Sequence, residues 1–277
     1  MTWSTAIIVL AISLVILSLS KKSKQKKALD IAKQSNADID KTFGNSNPDY
    51  QPTELRSVKR IDYSFYEASE AAMYLQGFSN MGDYQDLEHR RNFPKQQTVV
   101  RFMVSKDHSI MAAFYHLPIP RLNKLLLWLS GNLTSFRTID LETEFTDGYF
   151  VMTTTAAMLL SAPPGGRRNQ MPESTSVSDL VQFHNEAVES YRKKHPGVDA
   201  ISFNSFSDII ESQERGVELM RQHRKNMGGL TKAELTALMP SHIHTTDPKM
   251  ANELEAAFDN ERNSVIKPGE RGSPFED

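Results

Sequence analysis

QTVVRFMVSKDHSIMAAFYHL, residues 97–117, is the stretch that decides the fold. Val, Phe and Met crowd positions 97–104, and Ile110, Ala112, Phe114 and His116 then alternate with Met111, Ala113, Tyr115 and Leu117. A side-chain period of two is that of a strand, and the polar run 105–109 between the two apolar runs has the character of a hairpin loop. The spacing predicts two paired antiparallel strands.

A second pair follows downstream. Ile139, Leu141, Thr143 and Phe145 alternate with Thr138, Asp140, Glu142 and Glu144, after which Thr146-Asp147-Gly148 turns the chain into 149–154. Asp-Gly is among the strongest short hairpin signals. The row Asp140, Glu142 and Glu144 reads as the watered side of a sheet whose other face is covered. Carboxylates grouped this way also suit a hard cation or a general acid and base, since mutual repulsion raises one pKa. Residues 122–129 fit a strand by length and a short helix by their leucines.

Working outward, the period changes to three and four. Phe65, Ala68, Ala72 and Leu75 make one face of a helix, and Gly77 followed by Phe78 is a glycine stop that ends it at Gln76. On the far side of the sheet region, 161–175 is a loop by composition, headed by Pro163-Pro164-Gly165-Gly166. Val177, Val181, His184, Val188 and Tyr191 then trace a helix that Ser176 and Asp179 open with capping-box-like spacing. A longer helix over about 205–227 carries Phe206, Ile210, Val217 and Met220 on its apolar side and stops at Gly228, with an unfavourable Gly216 inside it. Thr231 with Glu234 opens a short helix before Pro240, and Asp247-Pro248 caps a last one through about Asn260.

Upstream, Trp3 to Ser20 contains no charged side chain, and at 1.5 Å per residue covers about 27 Å, close to a hydrocarbon core of roughly 30 Å. Lys21, Lys22, Lys24, Lys26 and Lys27 follow it and no cation precedes it, so the positive-inside bias predicts a single-pass membrane protein with its N-terminus outside and its C-terminal domain cytoplasmic. Those lysines are candidate contacts for anionic lipid headgroups. A cleaved signal peptide is the competing reading, but it places its charge before the apolar region.

The fold class expected is α+β: an N-terminal transmembrane helix followed by one soluble domain with a mostly antiparallel four- to five-stranded sheet and flanking helices. The divisions are a transmembrane helix at 3–20, a basic collar and polar stalk at 21–51, and a helix plus antiparallel sheet at 52–160. A loop at 161–175, a C-terminal helical part packed on the sheet at 176–261 and a disordered tail at 262–277 complete it.

The chain has 277 residues, a net charge of -2 and no cysteine. The five collar lysines subtracted from that net charge leave -7 for the rest, an acidic body unsuited to nucleic acid. Lack of cysteine excludes disulfides, thiolate metal sites and thiol nucleophiles. Candidate chemistry is sparse. His242 and His244 with Asp247 have the spacing to meet one metal ion, although a zinc site needs a further placed ligand and a surface loop is the plainer reading. His184 occupies an apolar helix stripe, which suits a core-edge histidine or a ligand- or pH-sensing one. His116 reads as packing at a strand end. Arg167 and Arg168 close the PPGGRR run, which reads as a mobile loop; its glycines would also shape an anion nest and its arginines grip phosphate, and it is the candidate interaction loop. No nucleophile elbow, zincin helix or phosphate loop is present.

These features predict a membrane-anchored, cytoplasm-facing, non-catalytic binding or accessory protein with no cofactor, working beside a membrane or membrane-proximal partner protein. A metal-assisted hydrolase and a small-ligand or pH sensor are the alternatives.

Overall fold

In a computed structural model, the structure describes residues 48–58, 61–92, 98–116, 137–156, 160–228, 231, 233–234, 252 and 256. Its centre is a seven-stranded sheet: β1 (Tyr50–Pro52), β2 (Ser79–Asp86), β3 (Val99–Val104), β4 (Met111–His116), β5 (Arg137–Glu144), β6 (Phe150–Thr154) and β7 (Gly166–Gln170). Spatial order follows chain order from β1 to β7. Every neighbouring pair is antiparallel except β6 and β7, which run parallel. The helices are α1 (Tyr63–Leu75), the short α2 (Leu87–Asn92), α3 (Val177–Lys194) and α4 (Phe206–Met227).

The expectation of four or five strands is corrected to seven. β2 escapes periodicity because SNMGDYQD is polar and is interrupted by a bulge at Gly82, where φ is +123°. Its attachment comes from charge: Arg101 on β3 donates to both carboxylate oxygens of Asp83 at 2.6 and 2.7 Å, and to Glu70 of α1 at 2.6 Å. β7 replaces part of the predicted loop, because GRRNQ carries no apolar residue to announce a strand. It forms beside the already paired β6, and Asn169 Nδ2 donates to Met152 O at 3.2 Å.

Both faces of the sheet are covered, so the molecule has three layers. The first face, with Val99, Met103, Ala112, Phe114, Ile139 and Leu141, packs against Tyr66 and Met73 of α1 and Leu180 and Val181 of α3. The second face presents Val100, Phe102, Val104, Met111, Ala113 and Tyr115, together with Phe203 and Ile209 at the start of α4. Full burial of one such side chain contributes roughly 1.5–3 kcal/mol. Tyr84 stacks on Phe206 at 3.6 Å between centroids, and Tyr50 donates to Gln213 Oε1 at 2.9 Å, fastening α4 across β1 to β3.

Helix ends follow local chemistry. Gly77 takes φ +83° and Phe78 N–H returns to Met73 C=O, closing α1 in the manner of a glycine cap. Ser205 and Asp208 form a reciprocal capping box on α4, which ends at left-handed Gly228.

The single-pass membrane reading, with its cytoplasmic C-terminal domain, is corrected: among the described residues no helix is long and apolar enough to cross a membrane. α4 has the length, with 22 residues, but carries Asp208, Glu211, Glu214, Arg215, Glu218, Arg221, Arg224 and Lys225. The span read at 3–20, the lysine collar Lys21, Lys22, Lys24, Lys26 and Lys27, the segment 122–129, the helix through Asn260, of which only 252 and 256 are described, and the tail at 262–277 lie outside the described residues.

Candidate functional site

The row Asp140, Glu142 and Glu144 is not the watered side of the sheet. These residues are 5%, 4% and 1% exposed, because a second helical layer lies over that face. β5 presents them on the side of Met111 and Ala113 of β4, with which Glu142 and Asp140 are paired. Glu142 also faces Met152 of β6, and Met152 faces Arg168 of β7, so one cross-strand row runs Met111, Glu142, Met152, Arg168. Carboxylates enclosed this way must find cations or protons.

Glu144 finds Arg215 of α4, whose Nε and Nη2 donate to its two oxygens at 2.5 and 2.9 Å. This fork raises the pKa of Arg215 chiefly through the Glu144 hydrogen bond. Arg168 stands toward Asp140 and Glu142: burial lowers its pKa, both carboxylates oppose that, and Arg224 adds to it. Burial pushes Glu142 up to about 7, with Glu144 and Asp140 pushing the same way and Arg168 opposing.

At the far end of α4 a second polar cluster ties three segments together. Glu234 Oε1 accepts from Ser161 N at 2.6 Å and Ser161 Oγ at 2.8 Å, and its Oε2 accepts from Thr231 N at 2.9 Å. Arg224 Nη2 donates to Ser161 O at 3.0 Å and approaches Glu234 at 2.7 Å. Although burial alone would raise the Glu234 carboxyl, these bonds and the Arg224 charge hold it down to about 2. His223 Nε2 lies 3.2 Å from Ser161 Oγ, the spacing of a nucleophile and its base. Yet the same hydroxyl is also ringed by Glu234, Arg224 and the sulfur of Met227. Through these contacts the half-buried Ser161 joins the segment after β6 to α4 and to Thr231 and Glu234.

His184 is fully buried between two threonines. Thr143 Oγ1 donates to Ser109 O, so it accepts from Nε2–H of His184 at 3.0 Å, and Thr153 Oγ1 donates to Nδ1 at 3.0 Å. Desolvation alone drops its pKa to about 3, which keeps it neutral. Both ring nitrogens are therefore committed within the fold. His116, at the end of β4, accepts from Asp62 N at 3.3 Å.

Arg167 and Arg168 are separated by the strand they share. Arg167 is exposed and bonds Asn169 Oδ1 at 2.9 Å, whereas Arg168 turns to the α4 side, with its buried Nε lacking a hydrogen-bond partner. His242, His244 and Asp247 lie outside the described residues, and among the described residues no group of three His, Asp or Glu side chains could hold a metal ion.

On the outer surface a groove of about 790 Å³ is bounded by Gln76 and by Ser178, Gln182, Asn185, Glu189 and Lys193 on successive turns of α3. Beside Gln76, Tyr74 and Leu75 are 51% and 86% exposed. Sequence periodicity puts Leu75 on one stripe with Phe65, Ala68 and Ala72, but α1 buries Tyr66, Ser69 and Met73 instead, which leaves Ala68 and Leu75 exposed. Comparison with protein-family models, curated proteins and solved structures finds no match. The fold so defined is a three-layer α+β domain on a seven-stranded, mostly antiparallel sheet, with buried acidic and basic side chains beneath α4 and an outer groove along α3.

Proposed function

We propose that the chain is a non-catalytic binding or accessory protein that takes up a partner protein along the groove between the end of α1 and the outer side of α3. The supporting observation is how the polar groups are divided. Side chains with the chemistry for catalysis are tied into the fold: Glu144 to Arg215, Glu234 to Ser161 and Thr231, His184 to two threonines. The groove instead presents amides, hydroxyls and both signs of charge around Val181, and Tyr74 and Leu75 are exposed in the residues just before Gln76, which lines it. Surface with that mixture suits hydrogen bonding to a polypeptide around a small apolar anchor.

Asn185→Trp fills the groove without touching the core, since Asn185 is exposed. Crosslinking of the full chain in the cells that make it is expected to give specific adducts that Asn185→Trp abolishes, with the thermal midpoint unchanged. An identical adduct pattern from the two proteins would contradict this reading.

A further inference from the structure

Charge is not uniform along the groove on α3. Gln76, Ser178, Val181 and Gln182 stand toward one end, Glu186 and Glu189 in the middle, and Lys193 and Lys194 at the other end. At 1.5 Å per residue, the helix from Ser178 to Lys193 covers about 22 Å. Both acidic side chains already have partners on α3. Glu186 accepts from Gln182 Nε2 at 2.9 Å, and Glu189 accepts from Arg192 Nη1 at 3.0 Å. Glu189 lies one turn before Lys193 but pairs with Arg192 instead. The two lysines are exposed, and neither forms an ion pair among the described residues. A molecule entering the groove therefore meets carboxylates that are already engaged and, at one end, two ammonium groups that are not.

We infer, resting on the reading of this groove as a protein-binding site, that the partner enters it with an acidic-ended segment whose carboxylates lie over Lys193 and Lys194. Over Glu186 and Glu189 the segment carries no acidic side chain, and toward Val181 it carries an apolar one. Cations in the last turn of α3 also suit the helix dipole, a role that leaves their ammonium groups open to a second carboxylate. Exposed ion pairs of this kind select the partner and speed its approach, while the apolar contact supplies most of the affinity. The amides of Gln76 and Asn185 match the peptide groups of a polypeptide. A continuous polyanion, such as nucleic acid or an anionic lipid surface, would set negative charge against Glu186 and Glu189 as well.

A random peptide library displayed on phage, selected against the full chain and counter-selected on Asn185→Trp, tests it. Peptides that bind the full chain and are lost on Asn185→Trp are expected to carry Asp or Glu residues clustered toward one end and an apolar residue away from them. Lys193→Glu together with Lys194→Glu is expected to weaken a synthetic copy of such a peptide about tenfold at low ionic strength, read by fluorescence anisotropy. The same double variant is expected to select peptides with Lys or Arg at that end instead. Because acidic side chains oppose the dipole at a helix C-terminus, Lys193→Gln together with Lys194→Gln serves as the gentler pair, with an expected loss of about threefold. Asn185-dependent peptides without an acidic end, or bound equally well by the lysine variants, would overturn the acidic partner and leave the groove reading standing. If no selected peptide depends on Asn185, the groove reading falls and this inference falls with it.

Discussion

His184 shows how much one side chain's partners matter beyond its position on a helix. Its place in the apolar stripe of α3 predicts burial, but the threonines that fix its tautomer come from β5 and β6, 41 and 31 residues away. No local pattern announces them. Truncation by His184→Ala leaves Thr143 and Thr153 facing a cavity and is expected to cost about 2–4 kcal/mol, read from urea midpoints. The same residue has a pH signature. The unfolded chain binds a proton at His184 near 6.5 and the folded chain only near 3, so this contribution to stability grows as pH rises between those values and is constant above. Glu142 acts in the opposite sense between about 4.5 and 7. The two nearly cancel in the wild type over pH 4.5 to 6.5, and urea melts of Glu142→Gln should reveal a rising stability that the wild type conceals.

Among elements, the strongly periodic ones are legible in the sequence and the polar ones are not. β3 to β6 and α3 lie where alternation and a serine cap put them and bury the apolar faces read for them, whereas α1 and α4 keep their glycine stops but bury other faces, Tyr66, Ser69 and Met73 on α1 and Ile209, Ser212, Gln213, Gly216 and Met220 on α4. β2 and β7 are polar strands recruited by pairing, one through the Arg101, Asp83 and Glu70 network and the other beside β6. For β2 a usable signal exists: Gly82 between Met81 and Tyr84, two apolar side chains that join the second-face cluster. A Cβ at Gly82 would meet the Tyr84 ring at 3.0 Å on a backbone with φ +123°, a region that favours glycine. Gly82→Ala is therefore expected to lower stability by about 1–3 kcal/mol and to speed hydrogen exchange in β1 and β2 before β4 and β5.

For the molecule as a whole, the decisive difference from the sequence reading is the second helical layer. Clean alternation along β5 says that Asp140, Glu142 and Glu144 share one face, which is right, and suggests that water covers it, which is not. The cover is α4, and its Arg215, which pairs with Glu144, is the hint on that helix that acidic residues lie beneath. Arg168 likewise reads as part of a docking loop until β7 turns it inward. Nothing in strand periodicity tells a sheet with one covered face from one with two when the second interface is ionic. The groove on α3 is equally invisible from sequence, since it depends on where α1 stops.

Carbodiimide labelling of carboxyl groups in the native full chain, read residue by residue by mass spectrometry, tests the buried ionised layer most directly. Glu186 and Glu189 on the open side of α3 should be modified rapidly, while Asp140, Glu142 and Glu144 stay unmodified until the protein is unfolded. Modification of all three strand carboxylates in the native protein at the rate of Glu186 and Glu189 would contradict it and return that face of the sheet to solvent.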